Sequence, residues 1–256
     1  MPAKATSAIR IRSAECQVLF SSHEDAKIAI EDIAREATAR SVQIQDVVRC
    51  ITTISVHVVA AIGNWGQFDQ KIANDISGAG YSHGGALFES AVYAASSKPI
   101  VLDGESIAEL FHRFEDLKPS EKSVMRVALD RLNQALRRQN IVDKAIDLGI
   151  ALEVMLLHGI GEKDRGELSY RSSIRGATFL GGGKPERLKT LKLLKDAYGL
   201  RSKAVHSGVL KKEKKGPPPE QVLEDATSTC ARIARKLIDR GSFPDWDAEY
   251  VIGADQ

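Results

Sequence analysis

Between Gly104 and Gly241, apolar residues recur three and four positions apart through six successive segments, all but the second closed by glycine or proline. A chain built this way has few ways to bury its stripes other than packing helix against helix. The spacing predicts a first helix over Glu105–Leu117, stopped near Pro119, and a second capped by Ser120, with stripe Val124, Ala128, Leu132, Ala135 and Leu136. A third runs over Val142–Leu157, with Ala145, Leu148, Leu152 and Met155 inward and Gly159 and Gly161 at its end. The fourth covers about Gly166 to Leu180 and stops at Gly181-Gly182-Gly183. Pro185 opens the fifth, with stripe Leu188, Leu191, Leu194 and Tyr198; the sixth spans Glu220–Asp239, after a connector from Lys211 to Pro219. Leu148, Leu152, Leu191 and Leu194 are expected in one core.

Residues 1–103 are less periodic. Ile9 and Ile11 alternate with Arg10 and Arg12, which suits a strand, whereas Ser22, Glu24 and Asp25 open a helix from about His23 to Arg40. Val47 to Ile62 is rich in β-branched residues and fits helix and strand alike. The expected fold class is therefore mainly α: a helical domain over 104–241, a smaller N-terminal region of unknown function that could be α+β, and a tail over 242–256.

Composition narrows the function classes. The net charge of +2, from 36 basic and 34 acidic residues, provides no global attraction for a polyanion, so a nucleic-acid binder would need its positive charge concentrated locally. Cys16, Cys50 and Cys230 form no CxxC pair, which argues against a disulfide framework or a zinc site and suits a reducing cytoplasmic setting. His23, His57, His83, His112 and His158 make no metal-ligand cluster with them, and no cofactor is expected. No apolar run is long enough for a signal peptide or a membrane span.

Four places invite a functional reading. Gly181-Gly182-Gly183-Lys184 resembles a phosphate loop only superficially: Thr178 stands where the first glycine belongs and Pro185 where Ser or Thr belongs. A helix-to-helix turn is the better reading. Lys211, Lys212, Lys214 and Lys215, followed by Gly216-Pro217-Pro218-Pro219, read equally as a solvated connector and as a device steering an anionic polymer toward nearby His206. Glu153 lies in an apolar stripe with Gly149, Ile150, Leu156 and Leu157, so it should be buried and paired, with Arg201 or Arg175 as partner. Arg201 and His206, five residues apart, would point about 140° apart on a regular helix. They converge only if the helix breaks near Gly199 or Gly208, or if each meets its counterpart across a dimer.

The segment Tyr198-Gly199-Leu200-Arg201-Ser202-Lys203-Ala204-Val205-His206-Ser207-Gly208 resembles the Arg-x4-His signature of HEPN domains, in the Apea-like form Tyr-x-x-Arg-Ser-x-x-Val-His-Gly. Asp147 to Glu153 resembles that branch's Leu-Glu helix, and Arg171 and Arg175 fall where relatives often carry arginine. The resemblance covers roughly residues 120 to 241, and Ser207 departs from it by separating His206 from Gly208. It implies a helical bundle that pairs as a homodimer and, in many members, a metal-independent ribonuclease in which Arg201 and His206 of both subunits line a shared cleft. Glu153, Tyr198, Ser202 and Lys203 would support them. A toxin or defence effector, with an antitoxin or regulatory protein as partner, belongs to the same expectation.

The chemistry is coherent. The RNA 2′-oxygen attacks its own phosphorus as the bond to the 5′-oxygen breaks; a base takes the 2′-proton and an acid gives one to the leaving oxygen. Histidine, with a pKa of about 6.5, can do either near neutrality, and arginine can grip the charged phosphate oxygens in bidentate fashion. One histidine per chain lacks a second proton carrier, which a two-fold dimer would supply. Two other readings stand beside this one: a non-catalytic HEPN module that binds RNA or a protein, and a sensor gated by the N-terminal region.

Overall fold

The computed structural model describes residues 103–160, 167–211, 216–246 and 248–253, with single helical positions between 35 and 54. The chain divides into two compact units, Met1–Val47 and Val48–Gln256. In the first, the described residues from Arg35 to Val47 are helical; the expected strand near Ile9 and most of the helix from His23 lie outside the described residues. In the second, Arg49, Cys50, Thr53 and Ile54 are helical, the conformation that β-branched composition had left undecided for this stretch. The expected boundary at 103/104 adjoins residues 55–102, which also lie outside the described residues.

Six helices follow: α1 (Gly104–Glu115), α2 (Pro119–Arg137), α3 (Ile141–Leu156), α4 (Leu168–Leu180), α5 (Lys184–Ser207) and α6 (Pro219–Arg240). A π-helical turn covers Ala248–Gly253, and no strand occurs among the described residues. The fold is mainly α. Asp103 caps α1, its carboxylate accepting from the Glu105 N–H at 3.1 Å and the Ser106 hydroxyl at 2.5 Å. Pro119, with its N–H already missing, starts α2, one residue before the expected Ser120 cap. Gly208 and Gly241 close α5 and α6 in left-handed geometry, with φ of 65° and 78°.

The core holds Leu110, Phe114, Met125, Leu129, Leu132, Leu148, Met155, Leu156, Phe179, Leu194, Leu223, Ile233 and Leu237. Helix α3 packs on α2, α5 and α6, and α4 lies along α5. The α3 stripe is as expected, with Ala145, Leu148, Leu152 and Met155 all buried. In α2 the expected Ala128, Leu132 and Ala135 are buried together with Met125 and Leu129, while Val124 and Leu136 are half-buried. Helix α5 differs most from expectation: Leu194, Ala197 and Ala204 face inward, Leu191 is half-buried, and Leu188 is 55% exposed. Of the expected stripe Leu194 is buried, while Leu188 turns outward and Ala197 and Ala204 complete the packed face.

Polar contacts finish the bundle. Asp147, only 2% exposed on α3, is clamped by Arg131 Nη1 at 3.0 Å and Arg138 Nε at 2.9 Å. Arg49 grips both oxygens of Asp130 at 2.8 and 2.9 Å. Two cations sit on helix C-termini: buried Arg175 donates to the Leu156 carbonyl at 2.9 Å, and Lys236 to that of Phe179 at 2.5 Å. After α6, Trp246 and Tyr250 pack edge-on or tilted against Phe179 and each other, with centroids 5.2 to 5.7 Å apart, so Phe243, Trp246 and Tyr250 join the core as aromatic side chains.

Candidate functional site

Helix α5 carries the Arg201–His206 segment without interruption: it stays helical through Gly199 and ends only after Ser207. The break near Gly199 that would have let the two side chains converge is absent. Arg201 turns inward toward α3, where its Nη2 donates to Glu153 Oε2 at 3.1 Å. His206 is exposed in the last turn and makes no hydrogen bond or ion pair among the described residues. Within one chain the pair does not meet.

Arg201 reaches Glu153 because Gly149 stands one helical turn before the glutamate. A Cβ on Gly149 would overlap Arg201 Cγ and come within 2.9 Å of Arg201 Cβ, so the arginine stem occupies the room that a side chain would take. Tyr198, one turn earlier on α5, lies under the guanidinium with its ring centroid 5.9 Å from Cζ. The Arg201 side chain remains 28% exposed and that of Glu153 22%, so the expectation that Glu153 is buried is corrected to half-buried. Arg201 Nε is itself buried without a hydrogen-bond partner. Burial raises the Glu153 carboxyl above its ordinary value, and the charge of Arg201 offsets part of that rise. Arg175, the other expected partner, is committed to the end of α3.

The remaining expected residues are spread along the helix end. Ser202 is half-buried and Lys203 exposed. Ser207 donates to the Lys203 carbonyl at 2.7 Å and accepts from the Val209 N–H at 3.4 Å, tying the α5 terminus. Lys211 is exposed; Lys212, Lys214 and Lys215 lie outside the described residues. Sequence reasoning missed Gly149 as the slot for Arg201, although a glycine four residues before a carboxylate in an apolar stripe was a visible signal. It also missed the Asp147 clamp.

Among the described residues, no group of three His, Cys, Asp or Glu side chains could hold a metal ion, and no helix is long and apolar enough to cross a membrane. Cys50 and Cys230 are both buried, and burial pushes the Cys230 thiol far up. Comparison with protein-family models, with curated proteins and with solved structures finds no match for the chain.

Proposed function

We propose that this protein is a metal-independent endoribonuclease of the HEPN type, Apea-like branch, acting as a cytoplasmic homodimer on RNA in a toxin or defence role. The observation that carries the reading is the placement of Arg201. An arginine five residues before an exposed histidine is held by Glu153 in a slot left open by Gly149, while part of it stays open to solvent. A two-fold dimer through the end of α5 would bring two such histidines together, one to take the 2′-proton and one to protonate the 5′-oxygen. Val205 and Val209, half exposed beside His206, supply apolar surface for such a contact. An antitoxin or other regulatory protein is the expected further partner.

A second reading, a non-catalytic HEPN module binding RNA or a protein, is favoured by one fact: the Arg201 guanidinium is engaged by Glu153 and Tyr198, and His206 lies on another side of the helix. Purified protein incubated with mixed RNA separates the two. The first reading expects cleavage that persists in chelator and leaves 2′,3′-cyclic phosphate ends. Intact RNA across varied substrates, with a dimeric protein present, selects the second.

A further inference from the structure

The positive charge missing from the chain as a whole is concentrated on two neighbouring helices. Helices α4 and α5 together contain nine lysines and arginines, of which Arg175 is buried and Arg201 is paired with Glu153, against two carboxylates of their own, Glu186 and Asp196, in a protein whose net charge is +2. On α5, positions 184, 188, 192, 195, 199, 202 and 206 are spaced three and four apart, so Lys184, Leu188, Lys192, Lys195, Ser202 and His206 share one face. That face spans about 33 Å at 1.5 Å per residue. All but Ser202, which is half-buried, are exposed, and the face includes the outward Leu188.

Between this face and α4 lies an apolar groove of about 290 Å³, floored by Ile174, Ala177, Leu188 and Leu191 and edged by Lys184 and Arg187. Further along the same pair of helices Tyr170 is 47% exposed, and Lys195 Nζ stands 5.4 Å from its ring centroid. Cations at the rim, an apolar floor and an exposed aromatic ring form the combination that holds a single strand: ammonium groups follow phosphates while bases stack or lie on apolar surface. We propose that the α4–α5 groove is a binding track for single-stranded RNA, with Lys184, Arg187, Lys192 and Lys195 on phosphates, Tyr170 under a base, and the strand leading along α5 to His206. The proposal rests on the RNA-directed reading above and adds to it the route by which the polymer reaches the helix end.

The test is fluorescence anisotropy of a labelled single-stranded oligouridylate, using the full chain carrying His206→Ala so that bound RNA stays intact. Lys192→Gln with Lys195→Gln should weaken binding at least about tenfold and lower the slope of log K against log salt by roughly 0.7 per lysine. Tyr170→Ala should weaken it by about tenfold, with Tyr170→Phe close to the parent. Lys118→Gln with Arg232→Gln removes the same charge from exposed positions outside α4 and α5 and should leave the affinity near the parent's. Equal losses in the two pairs, or none in the track pair, overturn the proposal. So does an oligouridylate that fails to bind while phosphatidylserine vesicles bind through the same lysines, which would assign the face to a membrane surface. RNA cut by the parent but bound independently of the track leaves the ribonuclease reading standing without it; RNA bound along the track but never cut does the reverse.

Discussion

The stem of Arg201 runs through the space that a side chain on Gly149 would fill, and this places its guanidinium on Glu153, 48 residues away in sequence. Gly149→Ala should therefore be costly even though alanine is the better helix former. Its Cβ meets the near end of the arginine, which cannot swing aside without moving α5 from α3. A loss of about 1–3 kcal/mol is expected from the overpacking. A denaturant melt in which Gly149→Ala is as stable as the parent would show that the two helices are not held this closely.

Glu153→Ala leaves Arg201 half-buried without its carboxylate. With both side chains partly exposed, the cost should fall between the exposed and buried limits, about 1–3 kcal/mol. Glu153→Gln keeps an acceptor and removes the titration. Because burial raises the carboxyl above its ordinary value of 4.5, the native state holds the proton more tightly than the unfolded chain. The glutamate's advantage over glutamine is then largest below that value and shrinks as pH rises through the folded one. Thermal melts of the two proteins across acid to neutral pH check this; a stability difference that grows with pH contradicts it.

Asp147 is enclosed, whereas its two arginines are 40% and 45% exposed, so the clamp should be asymmetric. Removing both arginines strands a buried charge, with an expected loss of about 3–5 kcal/mol. Asp147→Asn lets the guanidinium groups turn back to water and should cost less. Chemical denaturation of Arg131→Ala/Arg138→Ala beside Asp147→Asn reads the difference directly.

His206 is exposed and its side chain makes no hydrogen bond or ion pair among the described residues, so His206→Ala should change stability by no more than about 0.5 kcal/mol while abolishing RNA cleavage. Arg201→Lys should lose most of the activity, since an ammonium keeps the charge without the two-pronged grip on phosphate. It should also lower the melting temperature, because Arg201 holds Glu153. Cleavage that survives His206→Ala rejects the mechanism.

What the amino-acid order determined by itself was local. Helical spacing with glycine and proline stops located six helices to within a few residues, because backbone hydrogen bonding and chain breaks act over a turn or two. The isolation of Glu153 in an apolar stripe was enough to demand a cation, since desolvating a lone carboxylate is costly at any address. The choice of cation was not local. Arg201 and Arg175 were equal candidates until packing gave Arg175 to the end of α3 and opened the Gly149 slot to Arg201. The same holds for Leu188, which the helical spacing places inward but which lies on the groove face. It holds also for Trp246 and Tyr250, which join the core through Phe179. Periodicity says which residues share a face; which face meets which neighbour depends on shape complementarity between segments far apart in the chain, and only the tertiary structure supplies that.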